Sequence, residues 1–374
     1  MVKGSERFYM PFRALFLFVI ERRYEMYKKI VNEIKPVSGI WMDKAWARLD
    51  NLSKPRRSLG YLEEIAARVV AILEEEKPEI REKAVYVFVG DHGIVAEGVS
   101  AYPQDVTALM VRNFLAGGAG INVLSRRAGA DVYVIDIGMK EKLTDAKGLI
   151  DKNIKRSTDN MAKGPAMTRD EAERAINAGI ETAIDASEAG VNMIATGEMG
   201  IGNTTPSSAL YSVLLPAELS AVTDKGTGLE DEGIKIKIKA MEKALEINKS
   251  LMDDPVSVLA AVGGLEIAGI CGLCLGAASR RMVVVVDGFI SSAGALVAMR
   301  MCPSVKDYLF FSHKSYEKGH MIFCEKECIR PILDLDLRLG EGTGAACAML
   351  LIENAVSIYN EMATFDDVGI EAGA

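Results

Sequence analysis

Along this chain, short apolar runs rich in β-branched residues alternate with longer stretches of helical period. Residues 84–89, 131–137, 191–195, 281–287 and 308–311 have the length and branching of buried strands. Leu49 and Leu52 lead to a break at Lys54-Pro55, and a helical pattern restarts through Leu62, Ile65, Ala66 and Val69. Further helices are expected with Val106, Met110, Val111 and Phe114 on one, over residues 169–188, and over 209–219. Residues 140–163 read as a charged surface excursion. The apolar, Gly-rich stretch 255–278 is too long for one strand and reads as a buried helix pair. Strands alternating with helices predict an α/β fold with a mostly parallel, doubly wound sheet.

Composition narrows the function classes. A formal charge of −8 over 374 residues leaves no concentrated basic face for nucleic acid. The longest apolar runs fall short of the roughly 18–20 residues that span a bilayer, so no membrane partner is expected. Residues 10–20 are apolar but broken by Pro11 and Arg13 and lack a cleavage pattern; they read as a tail or an amphipathic helix. Met26 opens a more ordinary sequence and is the expected native start. Six cysteines without an export signal read as reduced thiols in the cytoplasm. Cys271 and Cys274 form one Cys-x-x-Cys and Cys324 and Cys328 a looser pair. The first pair lies where small buried thiols are common, and no metal or cofactor is expected.

The densest chemistry lies in residues 196–208, Thr-Gly-Glu-Met-Gly-Ile-Gly-Asn-Thr-Thr-Pro-Ser-Ser. Gly197, Gly200 and Gly202 let bare N–H groups approach a ligand, and Asn203, Thr204, Thr205, Ser207 and Ser208 supply donors where a helix starts. An ordinary strand-to-helix connection reads the same way. Glu198 is the odd residue, because a carboxylate beside a phosphate cradle is unfavourable unless it holds a ribose hydroxyl or polarises a reacting group. A phosphorylated sugar is therefore the expected ligand. Lys235, Lys237 and Lys239 follow on a helix; they form a solvated face, or one or two of them reach that phosphate. Glu341, between Gly340 and Gly342, is either a general base or an acid that satisfies a helix dipole. All three histidines, His92, His313 and His320, fall in expected loops after strands, which suggests a site.

Two look-alikes are discounted. Gly197-x-x-Gly200-x-Gly202 reverses the spacing of a dinucleotide fingerprint and has no clear ribose acid about 20 residues on. Val283 to Gly294 is similar to the strand and loop that bind phosphoribosyl pyrophosphate, but Asp287 is followed by Gly288 rather than a second acid. A donor with a single phosphate is easier to accommodate there.

Together, Gly90-Asp91-His92-Gly93, the 196–205 run, Asp287-Gly288-Phe289-Ile290, Ser312-His313-Lys314-Ser315 with Gly319-His320, and Leu339-Gly340-Glu341-Gly342-Thr343-Gly344 resemble the nicotinate-nucleotide:dimethylbenzimidazole phosphoribosyltransferases of cobamide synthesis. Lys54-Pro55 with Ser58-Leu59-Gly60 also matches that family's amino-terminal pattern. The resemblance covers about residues 42–360. It implies a Rossmann-like domain with a six-stranded parallel sheet, a small helical domain drawn from both chain ends, and a homodimer whose neighbour helps close each site. The corresponding division is an extension at 1–38, a helical segment at 39–78, the Rossmann-like domain at 79–305, and a last part at 306–374. The implied reaction moves phosphoribose from nicotinate mononucleotide to 5,6-dimethylbenzimidazole without a cofactor, inverting the anomeric carbon. By the same match Glu341 is the base and Glu198 stabilises positive charge at the ribose. Gly200, Gly202, Asn203, Thr204, Lys237, Asp287 and Ser315 would hold the nucleotide and its phosphate. Tyr102 and Met110 stand where some relatives carry a serine and a glutamine, and Met199 adds a third large side chain to the acceptor pocket; Met110 also suits plain helix core. The acceptor is a benzimidazole, with purine and phenol bases as alternatives. A magnesium-dependent pyrophosphate transferase and a non-catalytic nucleotide-binding subunit are the competing readings.

Overall fold

The computed structural model describes residues 26–224, 226 and 230–369. The residues before Met26, the 10–20 stretch among them, and residues 225 and 227–229 lie outside the described residues. Six strands form one parallel sheet in the order β3-β2-β1-β4-β5-β6. They are β1 (Glu82–Gly90), β2 (Asp131–Gly138), β3 (Leu149–Asp151), β4 (Val191–Met199), β5 (Val283–Val286) and β6 (Leu309–Phe311). All four valines of β5 are buried, as expected of a strand covered on both faces. The expected doubly wound α/β fold is present.

The sequence reading departs from this in four places. β3 lies inside the 140–163 excursion; it is a three-residue edge strand with half-buried or exposed side chains, so it carries no apolar signal. β4 continues through Thr196–Gly197–Glu198 to Met199, pairing with Tyr86, Val87, Phe88 and Val89, because its polar end faces a crevice rather than the core. The helix expected over 209–219 is Thr204–Leu214; its first turn takes in the hydroxyl run, and Pro216, which has no N–H, stops it. His320 sits within the Lys318–Lys326 helix and is buried, not in a loop.

Local signals account for the helices that set the frame. Thr168 and Glu171 form a reciprocal capping box that starts the Arg169–Glu188 helix, with Thr168 Oγ1 accepting the Glu171 N–H at 3.2 Å. Asp254 caps the Pro255–Val262 helix, whose proline needs no donor partner at that position. The Leu265–Ser279 helix follows, so the 255–278 stretch is a buried helix pair as expected. The two chain ends meet. The Tyr61–Leu73 helix packs against both the Gly39–Asp50 and the Thr343–Glu361 helices, Arg48 Nε donates to the Tyr359 carbonyl at 2.7 Å, and the Phe365 N–H donates to the Asn51 carbonyl at 2.9 Å. Within the 54–60 motif, Lys54 Nζ lies 2.9 Å from the buried Glu63 carboxylate.

Candidate active site

Strand order reverses direction at β1, whose chain neighbour β2 lies on one side and β4 on the other. Such a switch point opens a crevice at the strands' carboxyl ends. β4 delivers Glu198 and Met199 there, the turn after β5 delivers Asp287, and the chain beyond β6 delivers His313 and Ser315. They line a cavity of about 380 Å³. Gly200, Asn203, Thr204 and Glu341 line it too, as do Tyr102, Met110 and Met199. Gly202 and Lys237 stand behind the wall: Gly202 makes the turn at φ 91°, and Lys237 Nζ reaches Thr204 Oγ1 at 2.7 Å. Lys235 and Lys239 are exposed, so the solvated-face reading holds for them and fails for the fully buried Lys237.

Glu341 is held by an unusual backbone. Gly340, Glu341 and Gly342 have φ of 80°, 64° and 98°, three successive left-handed residues, and only the middle one carries a side chain. A non-glycine residue there costs about 1–3 kcal/mol, which is characteristic of functional sites. Close approach explains two of the glycines. A Cβ on Gly197 would lie 2.5 Å from the Glu341 carbonyl oxygen, and one on Gly340 would collide with Glu198 Oε1. The Glu341 carboxylate accepts the Ile121 N–H at 3.2 Å, at the start of the Gly120–Ala128 helix. It therefore faces the N-terminus of another helix, not that of its own. Burial raises its pKa, the Ile121 N–H pulls it down, and the Asp287 charge raises it again; the net direction is up.

Glu198 is buried beside it and accepts from Asn203 Nδ2. Burial, then the charges of Asp287 and Glu266, push its pKa up to about 8. An unfolded glutamate ionises near 4.5, so between that pH and 8 the folded chain holds a proton that the unfolded chain has lost. Stability attributable to this group falls as pH rises through that window. Glu198→Gln has no proton to lose. Its Tm advantage over the wild type is expected to grow from pH 5 to 8 and then level off; an advantage constant over that range would refute the raised pKa.

Asp287 is fully engaged with the Glu341 loop. Its Oδ2 accepts the Gly342 N–H at 3.1 Å, its Oδ1 accepts the Ala345 N–H at 3.0 Å, and its own N–H donates to Thr196 Oγ1 at 3.0 Å. Of the histidines, His313 lines the cavity, while His92 and His320 sit behind it. His320 Nδ1 accepts the Ser315 N–H at 3.2 Å. Burial, then the nearby His313, lower its pKa to about 3, so it holds Ser315 as a neutral ring. His92 Nε2 lies 2.9 Å from Glu266 Oε1, under the Gly200 turn. Burial opposes the His92 charge, but Glu266 outweighs it and its pKa is raised. Glu266, absent from the sequence-derived site, was findable as the lone acid of the 255–278 apolar run. Glu317 and Arg338 also line the cavity without having been anticipated. Among the described residues, no group of three or more His, Cys, Asp or Glu side chains is arranged to hold a metal ion.

A family profile described as Phosphoribosyltransferase matches residues 34–370. A protein of Geobacter metallireducens named nicotinate-nucleotide–dimethylbenzimidazole phosphoribosyltransferase is 54% identical over 343 residues, covering 92% of this chain and 97% of that protein. One of the same name from Chlorobaculum parvum is 53% identical over 346 residues, covering 92% and 98%. The crystal structure of the phosphoribosyltransferase of that name from Thermus thermophilus superposes with a TM-score of 0.84 at 46% identity, covering 89% of this chain and 99% of that one. Identity above one half over nearly the whole of both chains, on a shared fold, leaves no room for a different assignment: the chain belongs to the nicotinate-nucleotide:dimethylbenzimidazole phosphoribosyltransferase family.

Proposed function

We propose that this chain transfers the phosphoribosyl group of nicotinate mononucleotide to 5,6-dimethylbenzimidazole, giving nicotinate and the α-ribotide used in cobamide nucleotide-loop synthesis. The observation that carries this reading is the pairing, in one cavity, of two buried carboxyl groups with a hydroxyl-rich helix start. A nitrogen of the acceptor attacks the anomeric carbon as the bond to the cationic pyridinium breaks, and that electron pair leaves on nicotinate. Glu341 takes the proton from the acceptor's other ring nitrogen; the donor's cationic ring favours ionisation of Glu198, which as a carboxylate faces the positive charge that develops on the ribose. Because the leaving group is already cationic, neither a strong acid nor a metal is required to expel it. Thr204, Asn203, the Gly200 turn and Ser315 cradle the phosphate, with Lys237 behind them.

The acceptor lies against Tyr102, Met110 and Met199, a wall of apolar side chains suited to a flat dimethylated ring. Tyr102 and Leu339 at this cavity are 52% and 61% exposed, apolar surface that supports a working homodimer whose second copy covers it. No helix among the described residues is long and apolar enough to cross a membrane.

The test is an assay of purified protein with nicotinate mononucleotide, a chelator, and a panel of benzimidazole, purine and phenol acceptors, read by chromatography and mass. Nicotinate release with an α-ribotide is expected, with benzimidazole preferred. Turnover only with phosphoribosyl pyrophosphate and magnesium would replace this reading, and nucleotide binding without turnover on any acceptor would indicate a partner-dependent subunit.

A further inference from the structure

One acidic side chain in the cavity has no part in the chemistry above. Glu317 lies in the wall beside Thr204, Gly226 and Ser315, at the end assigned to the phosphate. Its backbone is pinned: its N–H donates to Ser315 Oγ at 3.4 Å, its carbonyl accepts the His320 N–H at 3.0 Å, and it caps the Lys318–Lys326 helix. The Lys237 charge and the Gly226 N–H both favour its ionised form. These are phosphate-type donors. A Cβ on Gly226 would lie 2.8 Å from Thr204 Oγ1 and 3.5 Å from Lys237 Nζ, so Gly226, the hydroxyl and the ammonium border one small volume.

Charge balance explains why a carboxylate stands there. Lys237 is fully buried, and an ammonium withdrawn from water requires a counter-charge. Glu317 and Asp224 are the acids that act on it. A nucleotide phosphate brings up to two further negative charges to the same ammonium, and like charges a few ångströms apart disfavour one another strongly. We propose that Glu317 is a carboxylate placeholder in the phosphate cradle: it neutralises Lys237 in the empty enzyme and must swing aside or take up a proton when the donor's phosphate enters. Glu317 thereby sets donor affinity and selects a single phosphate over a pyrophosphate, whose larger charge would meet the same carboxylate. Burial, the largest influence, and the Asp224 charge oppose ionisation of Glu317, while Lys237 and Arg338 favour it, and the net direction of its pKa is up. This inference rests on the proposed phosphate cradle.

Inorganic sulfate, which stays a dianion across the neutral range, is the probe. It is used as an inhibitor competitive with nicotinate mononucleotide at pH 6.5, where Lys237, with its pKa lowered to about 8 by burial, remains protonated. Glu317→Gln is expected to lower both the sulfate Ki and the KM for nicotinate mononucleotide by about three- to tenfold, with the change in KM exceeding any change in kcat. Glu317→Asp, which draws the carboxylate back by one methylene, is expected to shift both in the same direction by less, and carries the test if the glutamine variant does not fold. Constants that stay the same or rise in these variants overturn the placeholder. Lys237→Ala separates the two layers of the argument: it is expected to abolish sulfate competition, and sulfate that competes undiminished against it overturns the phosphate cradle itself.

Discussion

Glu341→Gln is expected to bind nicotinate mononucleotide as the wild type does and to lose about 10²- to 10⁴-fold in kcat, the range for removing a positioned general base. Glutamine keeps an oxygen for the Ile121 N–H that now meets Glu341 Oε2 at 3.2 Å, so the loop geometry survives while the proton acceptor is lost. Calorimetric binding of the donor alongside pre-steady-state turnover separates the two effects. The wild-type carboxylate must be ionised to accept a proton and its pKa is raised, so kcat falls on the acid side of a profile that flattens in the variant. Near-wild-type turnover would remove Glu341 from the reaction.

Asp287→Asn tests how that base is placed. Two N–H groups, from Gly342 and Ala345, now point at two carboxylate oxygens; an asparagine presents one oxygen and one NH₂, so one buried donor faces another. Leaving a buried donor unpaired costs about 1–3 kcal/mol, and the Thr343–Glu361 helix also loses an anion at its start. Because the same two bonds anchor the left-handed turn at Glu341, kcat is expected to fall about 10²-fold, the cost of an ångström-scale misplacement, with a smaller change in donor KM. Thermal unfolding and steady-state kinetics measure both. A rise in donor KM at unchanged kcat would instead put Asp287 on the bound nucleotide, the role its family match implies.

The parallel sheet was readable because five of its strands are buried on both faces and leave unbroken apolar runs. β3 was not, since an edge strand of three residues between charged neighbours has no such run. The site shows the same division. Glu341 stood out as an acid between two glycines and Glu198 as an acid beside a hydroxyl-rich, Gly-rich turn, and Gly340 and Gly197, which adjoin them, prove to be close approaches between the acids' own loops. Lys237 could not be told from Lys235 and Lys239 by period alone. Only the helix's rotation against Thr204 buries one and leaves the others in water.

Sequence by itself therefore determined the fold class, the hydroxyl-rich helix start and the two carboxyl groups, because each depends on local backbone freedom or on burial periodicity, and both are written in neighbouring residues. Tertiary structure alone decided what those groups became. The raised pKa of Glu198 arises from burial and from Asp287 and Glu266, residues 89 and 68 positions away in the chain (287 − 198 and 266 − 198). The clamp of Asp287 on the Glu341 turn and the charge interaction of Glu317 with Lys237 likewise join segments far apart in sequence. Electrostatic energy depends on distance in space and on exclusion of water, and neither quantity exists until the sheet has brought its strand ends together.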